Sequence, residues 1–256
     1  MSAPRLLARQ VRSTNTAFWR NPASAFFTFV FPLLFLVIFT TLLGKGSTTI
    51  GGITYDNATY YVAAMASFGV ITACYTNVAM SIVFARDAGV LKRVRGTPMP
   101  GGAYLGARVT HAALVGALLV TVTAVFGVVA YHTHVPTGMD LVRFLVTLLV
   151  GSGCFAAIGL AVSGIVPNAD AAPPIVNAII LPLLFLSGIF LTIGDDAPTW
   201  VNVVGDVFPV RHFVDAMRDS FLGSPAFTWT DVAVMGLWLV GAALVAVRTF
   251  RWEARR

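Results

Sequence analysis

The sequence predicts an all-α polytopic membrane protein, and three observations carry that reading. Of its 256 residues 57% are hydrophobic and only 11% are charged, where soluble domains carry about 25% charge. The apolar residues fall into six uncharged runs, each near the ~20 residues that a helix needs to cross a bilayer. The charges gather between those runs rather than along them. Backbone groups in lipid have no water to bond, so each run must be a helix. Residues 1–256 read as one membrane domain, with no room for a soluble domain of ordinary size.

The first element is an amphipathic helix over residues 4–20. Leu7, Val11, Thr14 and Phe18 share one face at spacings of four, three and four, and Arg5, Arg9, Arg12 and Arg20 share the other. Such a helix lies in the membrane interface with its arginines toward the headgroups. It serves either as a topology anchor or as a mechanical elbow that also touches a cytosolic partner. Asn21-Pro22 breaks it. Six spans follow: Phe26–Leu43, Tyr60–Phe84, Val109–Tyr131, Phe144–Val166, Ala171–Ile193 and Val232–Val247, the last starting nearer Trp229, where an aromatic ring suits the interface. The fourth repeats small residues four apart, at Ser152/Ala156, Gly153/Ala157 and Gly159/Ser163. That spacing allows close helix approach, inside the bundle or across a dimer. The fifth starts on Pro173 and Pro174 and carries Asn177 and Pro182, which should kink it. With Pro32 of the first span, Asn177 and Pro182 are candidates to line a substrate path. Gly194 to Thr230 holds apolar patches too short to span. Within it, Phe208-Pro209 to Gly223 reads as short re-entrant helices in the outer leaflet, with Pro209 at the start and Arg211/Asp215 at i,i+4 spacing. A solvated surface helix is the alternative.

Orientation follows the basic residues. Arg5, Arg9, Arg12 and Arg20 precede the first span. Arg86, Lys92, Arg93, Arg95 and Arg108 separate the second from the third, and Arg248, Arg251, Arg255 and Arg256 follow the last. Thirteen of the 17 basic residues therefore share one side. The other side holds Lys45, Arg143, Arg211 and Arg218, with Asp195, Asp196, Asp206, Asp215, Asp219 and Asp231. Both termini are expected in the cytosol. The net charge of +6 belongs to this bias rather than to a nucleic-acid surface.

The loop between the second and third spans is the part of the chain that separates one kind of membrane protein from another. It runs Arg86-Asp87-Ala88-Gly89-Val90-Leu91-Lys92-Arg93-Val94-Arg95-Gly96-Thr97-Pro98, short, basic and helical until Thr97-Pro98. Asp87 and Leu91 share a face and Gly89 permits close backbone approach. Leu91 is expected to fill an apolar groove of a cytosolic partner, and Asp87 to pair with a base there or cap the helix start.

Several chemistries have no residues to carry them. No Asp, Glu, Lys or Arg falls within the six spans, and the sole Glu of the chain is Glu253. Ion-coupled carriers usually hold such groups inside the membrane. There is no G-x-x-x-x-G-K-[ST] phosphate loop, no C-x-x-C or H-E-x-x-H metal motif, and no G-x-S-x-G elbow. His111, His132, His134 and His212 do not cluster, and Cys74 and Cys154 sit in apolar spans as buried thiols. The first apolar run starts only near Phe26 and continues as a full span, so no cleavable leader is expected.

With its interfacial helix, six spans, basic second loop and outward segment, the chain resembles the membrane subunit of ATP-binding-cassette type 2 exporters. The match is to the kind found in daunorubicin-resistance and nodulation lipo-oligosaccharide export. In the loop that family shows acid-Arg-acid, Gly, Leu, basic residues and Pro. This chain matches at Arg86, Gly89, Leu91, Lys92-Arg93 and Pro98, has Asp87 where Glu is common, and departs at Ala85. The resemblance implies a plasma-membrane export permease whose loop is a coupling helix seated in a separate ATPase subunit. Two such ATPases, which bind the ATP and Mg, would work with two permeases, either copies or homologues. No cofactor is implied in this chain, and the substrate would be an amphipathic or lipid-like molecule. An ion-coupled carrier or channel and a polytopic enzyme acting on lipid are the alternatives.

The charge bias predicts that reporter fusions at Ile50, Pro136 and Gly205 read as external and one at Arg95 as cytosolic. An external signal at Arg95 contradicts the topology.

Overall fold

The structure is a computed structural model that describes residues 3–44, 46–50, 53–97, 99–190, 193 and 197–252. Lys45, Pro98, Gly194, Asp195, Asp196, Glu253, Arg255 and Arg256 lie outside the described residues.

Helix α1 (Ala3–Trp19) ends before Asn21-Pro22, and Pro22 opens α2 (Pro22–Leu43). Proline suits a first helical turn, where its missing N–H costs nothing. A two-stranded antiparallel hairpin follows, β1 (Ser47–Ile50) and β2 (Ile53–Asp56), in the register Ser47 to Asp56. The hairpin is a small addition to an all-α architecture; β-branched residues flank Gly51-Gly52, a sequence signal for a tight hairpin turn. Asp56 then caps α3 (Asn57–Ile71), accepting from Thr59 N at 3.0 Å and Thr59 Oγ1 at 2.8 Å. A π-helical turn (Thr72–Thr76) joins α3 to α4 (Asn77–Asp87). Together they form a continuous 31-residue stretch, three residues longer at its basic end than the uncharged run.

Gly89 turns the chain into the short α5 (Val90–Arg95), and α6 (Gly101–Tyr131) and α7 (Gly138–Ile165) follow. Then come α8 (Ala172–Phe185), α9 (Thr199–Val207), α10 (Pro209–Leu222) and α11 (Trp229–Thr249). Among the described residues five helices are long and apolar enough to cross a membrane: α2, α3 through α4, α6, α7 and α11. Over the expected fifth span, 171–193, the helix is shorter than the apolar run. Its helix has 14 residues, about 21 Å at ~1.5 Å per residue against a hydrocarbon core of about 30 Å. Gly188, at φ +81°, turns the chain beyond it.

The bundle has two recognisable ends. At the basic end α1 lies along the start of α6, with Leu7 over Gly106 and Phe18 edge-on to His111. Arg5, Arg9 and Arg12 face outward. At the other end the Tyr60 hydroxyl donates to Gly188 O at 2.6 Å, tying the start of α3 to the stretch after α8. His132 closes α6 there in the left-handed conformation.

Small residues let the core close. A β-carbon placed on Gly151 would lie 2.3 Å from the Phe213 ring, and one on Gly159 would lie 2.7 Å from Tyr75 O. Gly153 has only ordinary contact with Leu239, at 3.5 Å. The small-residue face of α7 therefore packs inside its own bundle, against α4, α10 and α11. These distances predict opposite outcomes for two neighbouring substitutions. Gly151→Ala should lower the melting midpoint of the detergent-solubilised chain, by about 1–3 kcal/mol of overpacking. Gly153→Ala should leave it unchanged. Equal midpoints for the two variants would contradict the packing.

Candidate functional site

The basic end is built around adjacent residues with opposite charges. Ala79, Val83 and Arg86 follow one another at four and three residues, so Arg86 lies on the buried face of α4. Only 3% of it is exposed. Its guanidinium donates to Ser163 O at 2.9 Å and to Val166 O, in the last turn and cap of α7. A helix leaves its final carbonyls without intrahelical donors, and its dipole favours a cation there. Asp87, on the outer face, accepts from Ala169 N in the loop between α7 and α8. One helix end thus holds the end of α7 and the approach to α8.

Gly89 then reverses the chain at φ +68°, and a β-carbon placed there would meet nothing within 4 Å. The left-handed backbone is what requires glycine here. Leu91 is fully buried, in a cluster with Ile82, Ala85 and Tyr104. Phe250 and Trp252, beyond α11, pack on the same cluster. The expectation that Leu91 fills a partner's groove is therefore corrected: its groove is in this chain. Val90, Leu91 and Val94 form the inward side of α5, and Lys92, Arg93 and Arg95 form an exposed basic side. That i,i+1,i+4 apolar grouping was the signal in the sequence.

The opposite end carries an ion network. Helix α10 is buried against α3, α7 and α11, which speaks against the alternative of a solvated surface helix. Phe213 meets Phe155 with ring centroids 5.3 Å apart. Arg211 sits 3.9 Å from Asp206 and 3.7 Å from Asp215, and Arg218 is 2.8 Å from Asp215 and 3.2 Å from Asp219. His212 Nε2 lies 2.9 Å from Asp206 O and Nδ1 lies 2.6 Å from Asp231 Oδ1. A carbonyl can only accept, so Nε2 donates to Asp206 O, and the Asp231 side chain favours a proton on Nδ1 as well. The bond to Asp231 accordingly raises the pKa of His212 against burial. Burial raises Asp215 although Arg218 and Arg211 oppose it, and pushes Asp219 up to about 6 against Arg218.

An apolar groove of ≈ 620 Å³ opens between α7, α8 and α11, with the stacked Phe208 and Trp238 on its wall. Ile179, Ile180 and Leu183 line it from α8; Asn177 and Pro182 do not, and Pro32 lies elsewhere, in α2. Among the described residues no three His, Cys, Asp or Glu side chains gather as metal ligands.

The family model for the ABC-2 type transporter matches residues 6–222. The chain belongs to this family. ABC-2 permeases are the transport subunits and have no ATP-hydrolysis site of their own, which agrees with the missing phosphate loop. This permease is 24% identical over 194 residues to the inner membrane transport permease YadH of Escherichia coli strain K12, covering 74% of this chain and 72% of that one. It is 27% identical over 148 residues to nodulation protein J of Rhizobium leguminosarum bv. viciae, covering 57% and 54%. It is 26% identical over 252 residues to the daunorubicin resistance ABC transporter permease protein DrrB1 of Streptomyces coeruleorubidus, covering 94% and 84%.

The titrating groups of the permease predict a pH dependence. A histidine with a raised folded pKa stabilises fully below its usual ~6.5, and the gain is lost as pH rises through the raised value. Raised aspartates also favour the folded state as they bind protons, Asp219 near pH 6. Tryptophan-monitored melting should therefore shift upward from pH 8 to pH 6, and His212→Gln and Asp219→Asn should each flatten the shift. A midpoint that falls on acidification would contradict the assignment.

Proposed function

We propose that this multi-pass ABC-2 permease is the membrane subunit of an exporter that moves an amphipathic or lipid-like molecule out of the cytoplasm. A separate ATPase subunit drives it. Two permeases and two ATPases assemble, with ATP and Mg on the ATPases. Six crossings bring both termini to the cytosolic side of the cell membrane. The short α8 and the stretch to Gly188 make the fifth, because Ala169 is held at the basic end and Gly188 at the other. On this reading α1 is the elbow helix, α9 and α10 are re-entrant from the outer face, and α5 is the coupling helix.

The observation that carries the proposal is the two-sided construction of α5. Lys92, Arg93 and Arg95 face out, while Leu91 plugs the helix into its own chain. Directly before it, Arg86 and Asp87 hold α7 and the α7–α8 loop. A movement imposed on the basic side would pass to α7 and α8, which line the apolar groove. The relatives supply the substrate class: one is named for daunorubicin resistance and one for nodulation. The lipid-enzyme alternative needs a free acid or base, and the outward His212, Asp215 and Asp219 are all committed to partners. An ion-coupled carrier needs a relay inside the membrane, and Arg86 instead caps a helix at its edge.

The test is charge reversal on the outward side of α5. Lys92→Glu with Arg93→Glu should leave insertion and melting unchanged, abolish co-purification of the ATPase, and cut transport at least tenfold. Leu91→Asp should lower the melting midpoint, since a carboxylate buried there costs several kcal/mol. Normal transport by the charge-reversed permease, or ATP hydrolysis by the isolated chain, would overturn the proposal.

A further inference from the structure

We propose that the cavity enclosed by α1, the π-helical turn, α4 and α6 binds the headgroup of an anionic amphiphile. Its volume is ≈ 410 Å³, within the range of about 300–1,000 Å³ usual for small-molecule sites. It is a different space from the apolar groove, at the basic end rather than against α8 and α11.

Polar atoms without partners, a guanidinium nitrogen among them, define its chemistry. Thr14 and His111 line it and are 9% and 8% exposed, and Thr14 Oγ1, His111 Nδ1 and Arg108 Nε have no hydrogen-bond partner. Thr14 stands on α1, while Arg108 and His111 are one turn apart on α6. Arg108 is anchored by Tyr104, whose hydroxyl accepts from Nη2 at 2.9 Å. Leaving a buried polar group unpaired costs about 1–3 kcal/mol, so three around one cavity favour a polar occupant, and the guanidinium, which can only donate, asks that occupant for acceptors. Asn77 and Ser81 add further polar groups from α4, and no carboxylate among the described residues lines the space. A phosphate meets these conditions, and its bonds to a guanidinium are charge-assisted.

The rest of the wall asks for an apolar tail. Phe18, Phe84 and Val115 line it, and Phe84 continues onto the exposed surface of the bundle. A π-helical turn supplies Ala73 beside it, and such turns recur at functional sites. A lipid standing in the leaflet at the basic end would put its phosphate between α1 and α6 and its chains along Phe84. The same chemistry describes a resident anionic phospholipid and a phosphate-bearing cargo.

Native mass spectrometry of the purified full chain tests the site, with phosphatidylglycerol as probe and phosphatidylcholine of the same chains as control. Phosphatidylglycerol should be retained at least tenfold more strongly. Arg108→Gln should remove that preference, and Ala112→Phe, which fills the cavity and keeps the charge, should lower phosphatidylglycerol retention. On the unaltered protein, a headgroup photolabel should mark the segments 72–84 and 108–115, which does not depend on any variant folding. Equal retention of the two lipids, an unchanged Arg108→Gln, or labelling elsewhere would overturn the proposal. In the transporter assembled with its ATPase, lipid that exchanges on ATP turnover is cargo, and lipid that stays is resident. The binding arm needs no ATPase, so failure of the exporter reading leaves it standing.

Discussion

A guanidinium inside an apolar bundle has to be met by acceptors, and the cap of a long helix offers carbonyls that need donors. Arg86 joins these two requirements by reaching from the end of α4 to Ser163 O and Val166 O of α7. Hydrogen bonds to a charged group contribute about 1.5–3 kcal/mol each, and losing the cation would strand both carbonyls in a buried place. The rest of the basic end depends on this contact. Asp87 can reach Ala169 N because Arg86 has already brought α7 alongside α4. Gly89 turns α5 back beneath them, and Leu91 closes the space against Tyr104, Phe250 and Trp252. The segments between α4 and α6, between α7 and α8, and after α11 thereby become one packed unit.

The far end is organised by a different balance. There α10 brings Arg211, His212, Asp215, Arg218 and Asp219 close to the bundle, and each charge meets an opposite one within 4 Å. Burial disfavours the ionised aspartates while the arginines favour them, so this end responds to protons. At the basic end Arg86 pairs instead with neutral carbonyls.

Much of the helical architecture was legible because lipid leaves the backbone no choice. Four of the six apolar runs became helices long enough to cross as single helices or with small extensions, and α3 with α4 did so through a π-helical turn. That turn was hidden, since Thr72–Thr76 is as apolar in pattern as its neighbours. The run at 171–193 gave a helix shorter than itself, because hydrophobicity reports burial in lipid or protein and not helix length; Gly188 turns what composition would continue. The hairpin was written in Gly51-Gly52 between β-branched residues, but a search for long apolar runs passes over strands of four. At the candidate site the residue types were legible and their directions were not. Arg86 and Leu91 read as groups for a partner, yet their helical spacing to Ala79, Val83 and Val94 aims both inward. Lys92 and Arg93 were left to face out. The unpartnered polar atoms of Thr14, Arg108 and His111 come from two elements, α1 and α6, and only packing brings the two to one cavity.

The claim that Arg86 makes the basic end a single body is tested most directly by a distance measurement. Spin labels on the exposed Lys92 of α5 and Asp170 of the α7–α8 loop would be read by double electron–electron resonance in the permease held in lipid nanodiscs. The account predicts one narrow distance distribution in the otherwise unaltered chain, and a broad one once Arg86→Gln is introduced. A broad distribution with Arg86 intact, or an unchanged narrow one without it, would contradict the account.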